Sequence, residues 1–103
     1  MKKNIIIIFL LCFCFNALAQ KEGANWFFGI RAGLKFEGGA AIPVQGGQIT
    51  TIEGVATISD PNGNLLFSSD GTEVLDRTHE IMPNGRDLKG NVSSTQSALI
   101  VPK

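Results

Sequence analysis

Apolar residues along this chain come in two kinds of run. The first, Ile5 to Phe15, is unbroken apart from Cys12 and Cys14. Everything after it is short apolar stretches divided by glycines and turn residues, and none repeats at i, i+3, i+4 and i+7. That spacing predicts strands, not helices. Asn25-Trp26-Phe27-Phe28 is the first, closed by Gly29. Leu34 to Phe36 and Ala40 to Val44 follow, and Pro43 restricts the latter to an edge or irregular strand. Gly46-Gly47 breaks the chain, and Gln48 to Ile52 is a weaker alternating piece. Val55 to Arg77 then reads as three strands joined by two tight turns, and Ser97 to Val101 as a last strand bounded by Pro102.

The Val55–Arg77 unit organises the rest. In Asp60-Pro61-Asn62-Gly63, Pro61 presets φ and Gly63 can take the left-handed conformation that follows. Two registers are open. A turn with a glycine bulge sets Ile58 opposite Leu66, and a two-residue Asn62-Gly63 turn sets Ile58 opposite Phe67. The bulge is preferred, because it places Pro61 where its φ is already correct. Asp70-Gly71 reads as a two-residue hairpin turn, with Phe67 opposite Val74 and Leu66 opposite Leu75. Side chains alternate along a strand, so both faces of this sheet come out apolar. A sheet of that kind is covered on both sides. Leu66 and Phe67 should therefore lie on opposite faces, and at least one should stay substantially exposed in this chain, which reads as the N-terminal fragment of something longer.

The opening run changes the accounting. Lys2 and Lys3 precede it and Ala17-Leu18-Ala19 follow, the pattern of a secretory signal peptide over residues 1–19 with cleavage after Ala19. The run is too short to span a bilayer, which takes about 20 residues. Leu11 and Phe13 precede the two cysteines, so a lipoprotein signal is not expected. Cleavage leaves residues 20–103 without a thiol, and so without a disulfide or thiolate site. It also leaves seven Lys and Arg against nine Asp and Glu, a balance too even for nucleic acid or an anionic membrane. A domain of that size is marginal without staples.

Several of these runs match a family in order and spacing. They are Asn25-Trp26-Phe27-Phe28-Gly29, then Glu53 to Asp60 with Asn62-Gly63-Asn64-Leu65-Leu66-Phe67. Asp70-Gly71, Arg77 with His79, and Ile81-Met82-Pro83-Asn84-Gly85 come next. Gly90-Asn91, Ser93 to Ala98 and Ile100 to Lys103 complete the set. Together they resemble the start of the gliding-motility-associated surface proteins exported by the type IX secretion system. The resemblance implies an N-terminal β-propeller-like region, then PKD repeats and a C-terminal sorting domain in the longer protein. On that resemblance this chain would hold the opening blade or so and lack the later regions, and Ser68-Ser69 stand where the pattern wants an aromatic residue.

Chemistry-bearing residues are few. Asp60, Asn62 and Asn64 have the spacing that opens a calcium loop, but Leu65 stands where that loop has its glycine and Gly71 where it has its glutamate. They read as turn residues bonding their own backbone. His79 is the only histidine, with Ser68, Asp70 and Asp76 near it in sequence; no nucleophile elbow accompanies them. It reads as a loop histidine hydrogen-bonded at a blade edge. Gly29, Gly33 and Gly46-Gly47 lack the context of a phosphate loop. Asn91-Val92-Ser93 has the form of a glycosylation acceptor, a common chance match. Trp26-Phe27-Phe28 suits core or interblade packing more than a sugar surface.

The expectation is an all-β chain: an antiparallel hairpin sheet, the first blade of a β-propeller-like domain over residues 20–103, behind a signal peptide. Its function would be non-catalytic, a secreted or cell-surface binding or structural module in gliding or adhesion. No catalytic, cofactor-binding or metal residue is expected. The partners would be downstream domains of the same protein and cell-surface or extracellular carbohydrate or protein. Two alternatives are the opening blade of a propeller hydrolase or lyase, and a small carbohydrate-binding β-domain.

Overall fold

The computed structural model describes residues 2–14 and 21–103. The expected cleavage position after Ala19 lies outside the described residues. One helix, α1 (Lys2–Cys14), carries the apolar run as far as Cys14, and Ile5 to Ile8 on it are exposed. Among the described residues no helix is long and apolar enough to cross a membrane.

The rest is β structure in two three-stranded antiparallel sheets. The first holds β1 (Asn25–Phe28), β2 (Ala32–Glu37) and β3 (Ala40–Pro43) in that order. The second holds β4 (Ala56–Ser59), β5 (Leu65–Ser69) and β6 (Val74–Asp76), again in chain order. Pro43 ends β3, an edge strand with all four residues exposed, as a residue lacking an N–H requires. The outer side of β6 is covered by the following loop, through Val74 N–H to Gly85 O and Asp76 N–H to Glu80 O, both 2.8 Å.

The two sheets meet where β1 lies beside β4. Asn25 Nδ2 donates to Ser59 Oγ and to Gly63 O, each at 2.9 Å. Phe27 N–H reaches Thr57 Oγ1 at 3.5 Å. One index rises as the other falls, so β1 and β4 run antiparallel. Side chains, not a backbone ladder, bridge them. Asn25 and Ser59 are both buried, so each needs the partner the other supplies.

The core straddles this seam. Phe27 from the first sheet, Leu75 from the second and Ile49 from the connecting segment are buried together, with Val44, Val55, Leu65 and Ile81 packed around them. Phe27 sits in a slot that only glycine permits. A Cβ on Gly33 would stand 2.7 Å from Phe27 Cε1, and one on Gly47 2.9 Å from its Cδ1. Both glycines are therefore packing residues.

Several expectations are corrected. Gln48 to Ile52 is not a strand; it makes one bridge, Ile30 with Thr50, flanked by Arg31 N–H to Ile49 O at 2.8 Å and Thr51 N–H to Gly29 O at 3.0 Å. Ser97 to Val101 is not a strand either. It has apolar strand-forming residues but pairs with no sheet edge, and Leu99 and Val101 stay exposed. What holds the approach to it is side-chain and loop bonding: Ser97 Oγ donates to Gly54 O at 2.7 Å, and Gly54 N–H to Ser94 O at 3.0 Å.

Registers in the second sheet also differ. The Asp60 turn closes as preferred, with Asp60 N–H on Asn64 O at 2.8 Å, Gly63 N–H on Asp60 O at 2.9 Å and Gly63 at φ +88°. An irregularity between Ile58 and Ser59 then skips Leu66, so Ile58 pairs with Phe67 and Ser59 with Leu65. The preferred Ile58–Leu66 pair does not form. Leu66, left without a partner, is 42% exposed. At Asp70-Gly71 the loop is two residues longer than a tight hairpin turn, and Phe67 pairs with Asp76, Ser68 with Leu75 and Ser69 with Val74. The Asp70 carboxylate, described below, is the reason.

Candidate functional site

Alternation along β1 sends Asn25 and Phe27 inward and leaves Trp26 and Phe28 outside. Trp26 is 55% exposed and Phe28 39%. Across the ladder Trp26 faces Leu34, and Phe36 lies two residues further along β2. Trp26 and Phe36 meet edge to face, with ring centroids 5.2 Å apart at 64°. The Trp26 indole N–H donates to Gly23 O at 2.9 Å, which fixes how the ring stands. Val55 and Thr57, at the start of β4, wall the other side of an open cleft of about 570 Å³.

This cleft is apolar in its chemistry. Thr57 is its one polar lining side chain, and its Oγ1 already accepts from Phe27 N–H. The indole N–H is also engaged. The lining holds no carboxylate, imidazole, amine or thiol, and the Thr57 hydroxyl is the single polar group left to meet a hydroxylated ligand. Such a surface takes apolar groups, for which aromatic residues give the largest buried area. The run Trp26-Phe27-Phe28 thus divides: Phe27 is core, and its two neighbours face out.

The aspartates serve their own loops. Asp60 Oδ1 accepts from the backbone N–H of Asn62 at 2.8 Å and of Asn64 at 2.9 Å, and Oδ2 from Asn64 Nδ2 at 3.0 Å. Asn64's side-chain hydrogen bond leads in holding the Asp60 pKa below its ordinary value, with backbone N–H groups adding to it. Asp76 Oδ1 takes Thr78 N–H at 2.7 Å, Thr78 Oγ1 at 2.6 Å and Glu80 N–H at 3.1 Å. Its pKa is lowered too, first by the Thr78 hydroxyl. Asp70 repeats the arrangement with Thr72 N–H at 2.8 Å, Thr72 Oγ1 at 2.7 Å and Glu73 N–H at 2.9 Å. Burial pushes the Asp70 pKa up, but these donors together bring it below the ordinary value. The signal was readable as Asp-x-Thr at Asp70 and Asp76, and sequence reasoning missed it.

The side chains of Ser68, Asp70, Asp76 and His79 make no hydrogen bonds to one another; His79 N–H donates to the Asp76 carbonyl at 3.0 Å. Both carboxylates are used by their own loops, and Ser68 Oγ is fully buried without a partner. His79 corrects the expected hydrogen-bonded edge residue: it sits at φ +65° with its ring against Phe27, and Nδ1 is enclosed without a hydrogen bond. Among the described residues no cluster of His, Cys, Asp or Glu could hold a metal ion. Comparison with protein-family models, curated proteins and solved structures finds no match for this chain.

Proposed function

We propose that the chain is a non-catalytic binding or structural module of a secreted or cell-surface protein. Its aromatic cleft is the surface on which neighbouring β structure of the same longer protein packs. The observation that carries this reading is the exposed group Trp26, Phe28 and Phe36 on one face of the first sheet. An apolar face of that kind is unusual on a domain meant to stand alone in water. The strand order offers further support. β1 runs antiparallel beside β4, the first strand of the β4-β5-β6 sheet, and side chains bridge the two; a four-stranded propeller blade would join them in one sheet. The resemblance to gliding-associated surface proteins and the apolar N-terminal run agree with a site of action outside the cytoplasm.

A carbohydrate-binding face is the weaker alternative, because sugar hydroxyls would find only the Thr57 hydroxyl to bond in the cleft lining. A hydrolase or lyase would need its catalytic groups from residues beyond these. Trp26 is the only tryptophan, so its fluorescence reports on the cleft directly. In the 103-residue chain its emission should be red-shifted and readily quenched by acrylamide. In a longer natural chain it should be blue-shifted and shielded. Equal quenching in both would remove the reading.

A further inference from the structure

The tripeptide Pro-Asn-Gly occurs twice, as Pro61-Asn62-Gly63 and as Pro83-Asn84-Gly85. Asparagine before glycine is open to cyclic imide formation, because a residue without Cβ lets its own nitrogen approach the preceding side chain. Both asparagines are exposed. Each glycine N–H closes its turn, Gly63 on Asp60 O at 2.9 Å and Gly85 on Met82 O at 2.8 Å. What separates the two sites is the bracing of the asparagine itself. Asn62 N–H donates to Asp60 Oδ1 at 2.8 Å, the same oxygen takes Asn64 N–H at 2.9 Å, and Asn25 Nδ2 holds Gly63 O at 2.9 Å. Neither the N–H nor the carboxamide of Asn84 makes a hydrogen bond among the described residues. Its φ is +60°, a left-handed backbone that a residue with a Cβ adopts at a cost.

We propose that Asn84 is a site of spontaneous modification to isoaspartate, and that the change uncovers the outer edge of β6. The Gly85 nitrogen forms a bond to Asn84 Cγ, and the side-chain nitrogen leaves as ammonia, taking the Gly85 amide proton with it. Water then opens the imide at one carbonyl or the other, giving aspartate or isoaspartate. Isoaspartate routes the main chain through an extra methylene carbon. Gly85 O, which accepts Val74 N–H at 2.8 Å on the edge of β6, is carried out of place by that insertion. The inference stands whether or not the cleft reading holds.

The test is to age the full chain in mildly alkaline buffer, folded and in urea, and to follow both Pro-Asn-Gly peptides by digestion and mass spectrometry. Each conversion adds about one mass unit, and isoaspartate separates from aspartate by chromatography. Normalised to its own rate in urea, Asn84 should react at least threefold faster than Asn62 in the folded chain. Asp60→Ala, which removes the brace, should bring the Asn62 rate up towards that of Asn84. The comparison within the unaltered chain keeps the test valid should that variant fold poorly. Amide exchange at Val74 should quicken in the isoaspartate-bearing protein. Equal normalised rates, faster reaction at Asn62, or unchanged exchange at Val74 would each overturn the proposal.

Discussion

His79 stands edge-on to Phe27, ring centroids 4.6 Å apart at 69°, and by that contact the loop after β6 rests on β1. The pair joins the two sheets on the core side of the seam that Asn25 and Ser59 bridge. Phe27→Ala should therefore do more than empty the slot between Gly33 and Gly47: it should uncouple the sheets. Truncating a buried Phe costs roughly 3–5 kcal/mol, a large share of what a domain this small has. Loss of the cooperative unfolding transition in urea is the expected result. His79→Ala, which removes a partner from the edge of the cluster, should shift the midpoint by less and keep the transition.

Gly71 carries two constraints at once. Its φ is +87°, and a Cβ there would lie 2.6 Å from both the Cβ and the carbonyl oxygen of Ser97. Gly71→Ala should then cost more than about 1 kcal/mol from the backbone alone, with displacement of the 94–97 segment in addition. Amide exchange at Gly54, whose N–H donates to Ser94 O, should speed up in the variant. Unchanged protection there would show that Ser97 yields without disturbing the loop.

The aspartate loops give the stability a definite pH dependence. Asp60, Asp70 and Asp76 all have folded pKa values below the ordinary carboxylate value. An unfolded aspartate titrates near ~3.9. Each group thus contributes stability that is present above that pH and is lost as pH falls through the lower folded value. Urea midpoints should be flat from neutrality to about pH 5 and fall steeply below about pH 4. Asp70→Asn should flatten the acid limb, because the group whose titration drives part of it is gone. Asp70→Ala should also lower the neutral plateau, by about 1–3 kcal/mol for hydrogen bonds to a buried charged group.

How far the chain announces this fold depends on how local each feature is. Asn25 to Phe28, the Pro61-Asn62-Gly63 turn and the edge position of Pro43 rest on neighbouring residues, and those are where sequence reading and structure agree. The Asp70 loop looked like a two-residue turn because Asp-Gly is the usual signal; the Thr72 and Glu73 donors that lengthen it act through a side chain, which turn statistics do not see. Ser97 to Val101 has strand composition, but a strand needs a partner edge, which composition cannot supply. The site was half legible. Three consecutive aromatics had to alternate in and out, and which one turned inward was settled by Asn25 meeting Ser59 across the seam, a contact between residues far apart in sequence.

Ser68 and Ser69, standing where an aromatic residue was expected, prove to be different cases. Ser69 Oγ donates to Glu73 O at 2.7 Å and accepts from Gly71 N–H at 3.0 Å, so it belongs to the Asp70 loop. Ser68 Oγ has no partner although the residue is fully buried opposite Leu75. An unpartnered buried hydroxyl costs roughly 1–3 kcal/mol. Ser68→Ala removes the hydroxyl and leaves only a small void, so it should raise the urea midpoint. Ser69→Ala, which strips two hydrogen bonds from the loop, should lower it. Measured side by side on the full chain, a drop for both variants would contradict an unpartnered Ser68 hydroxyl.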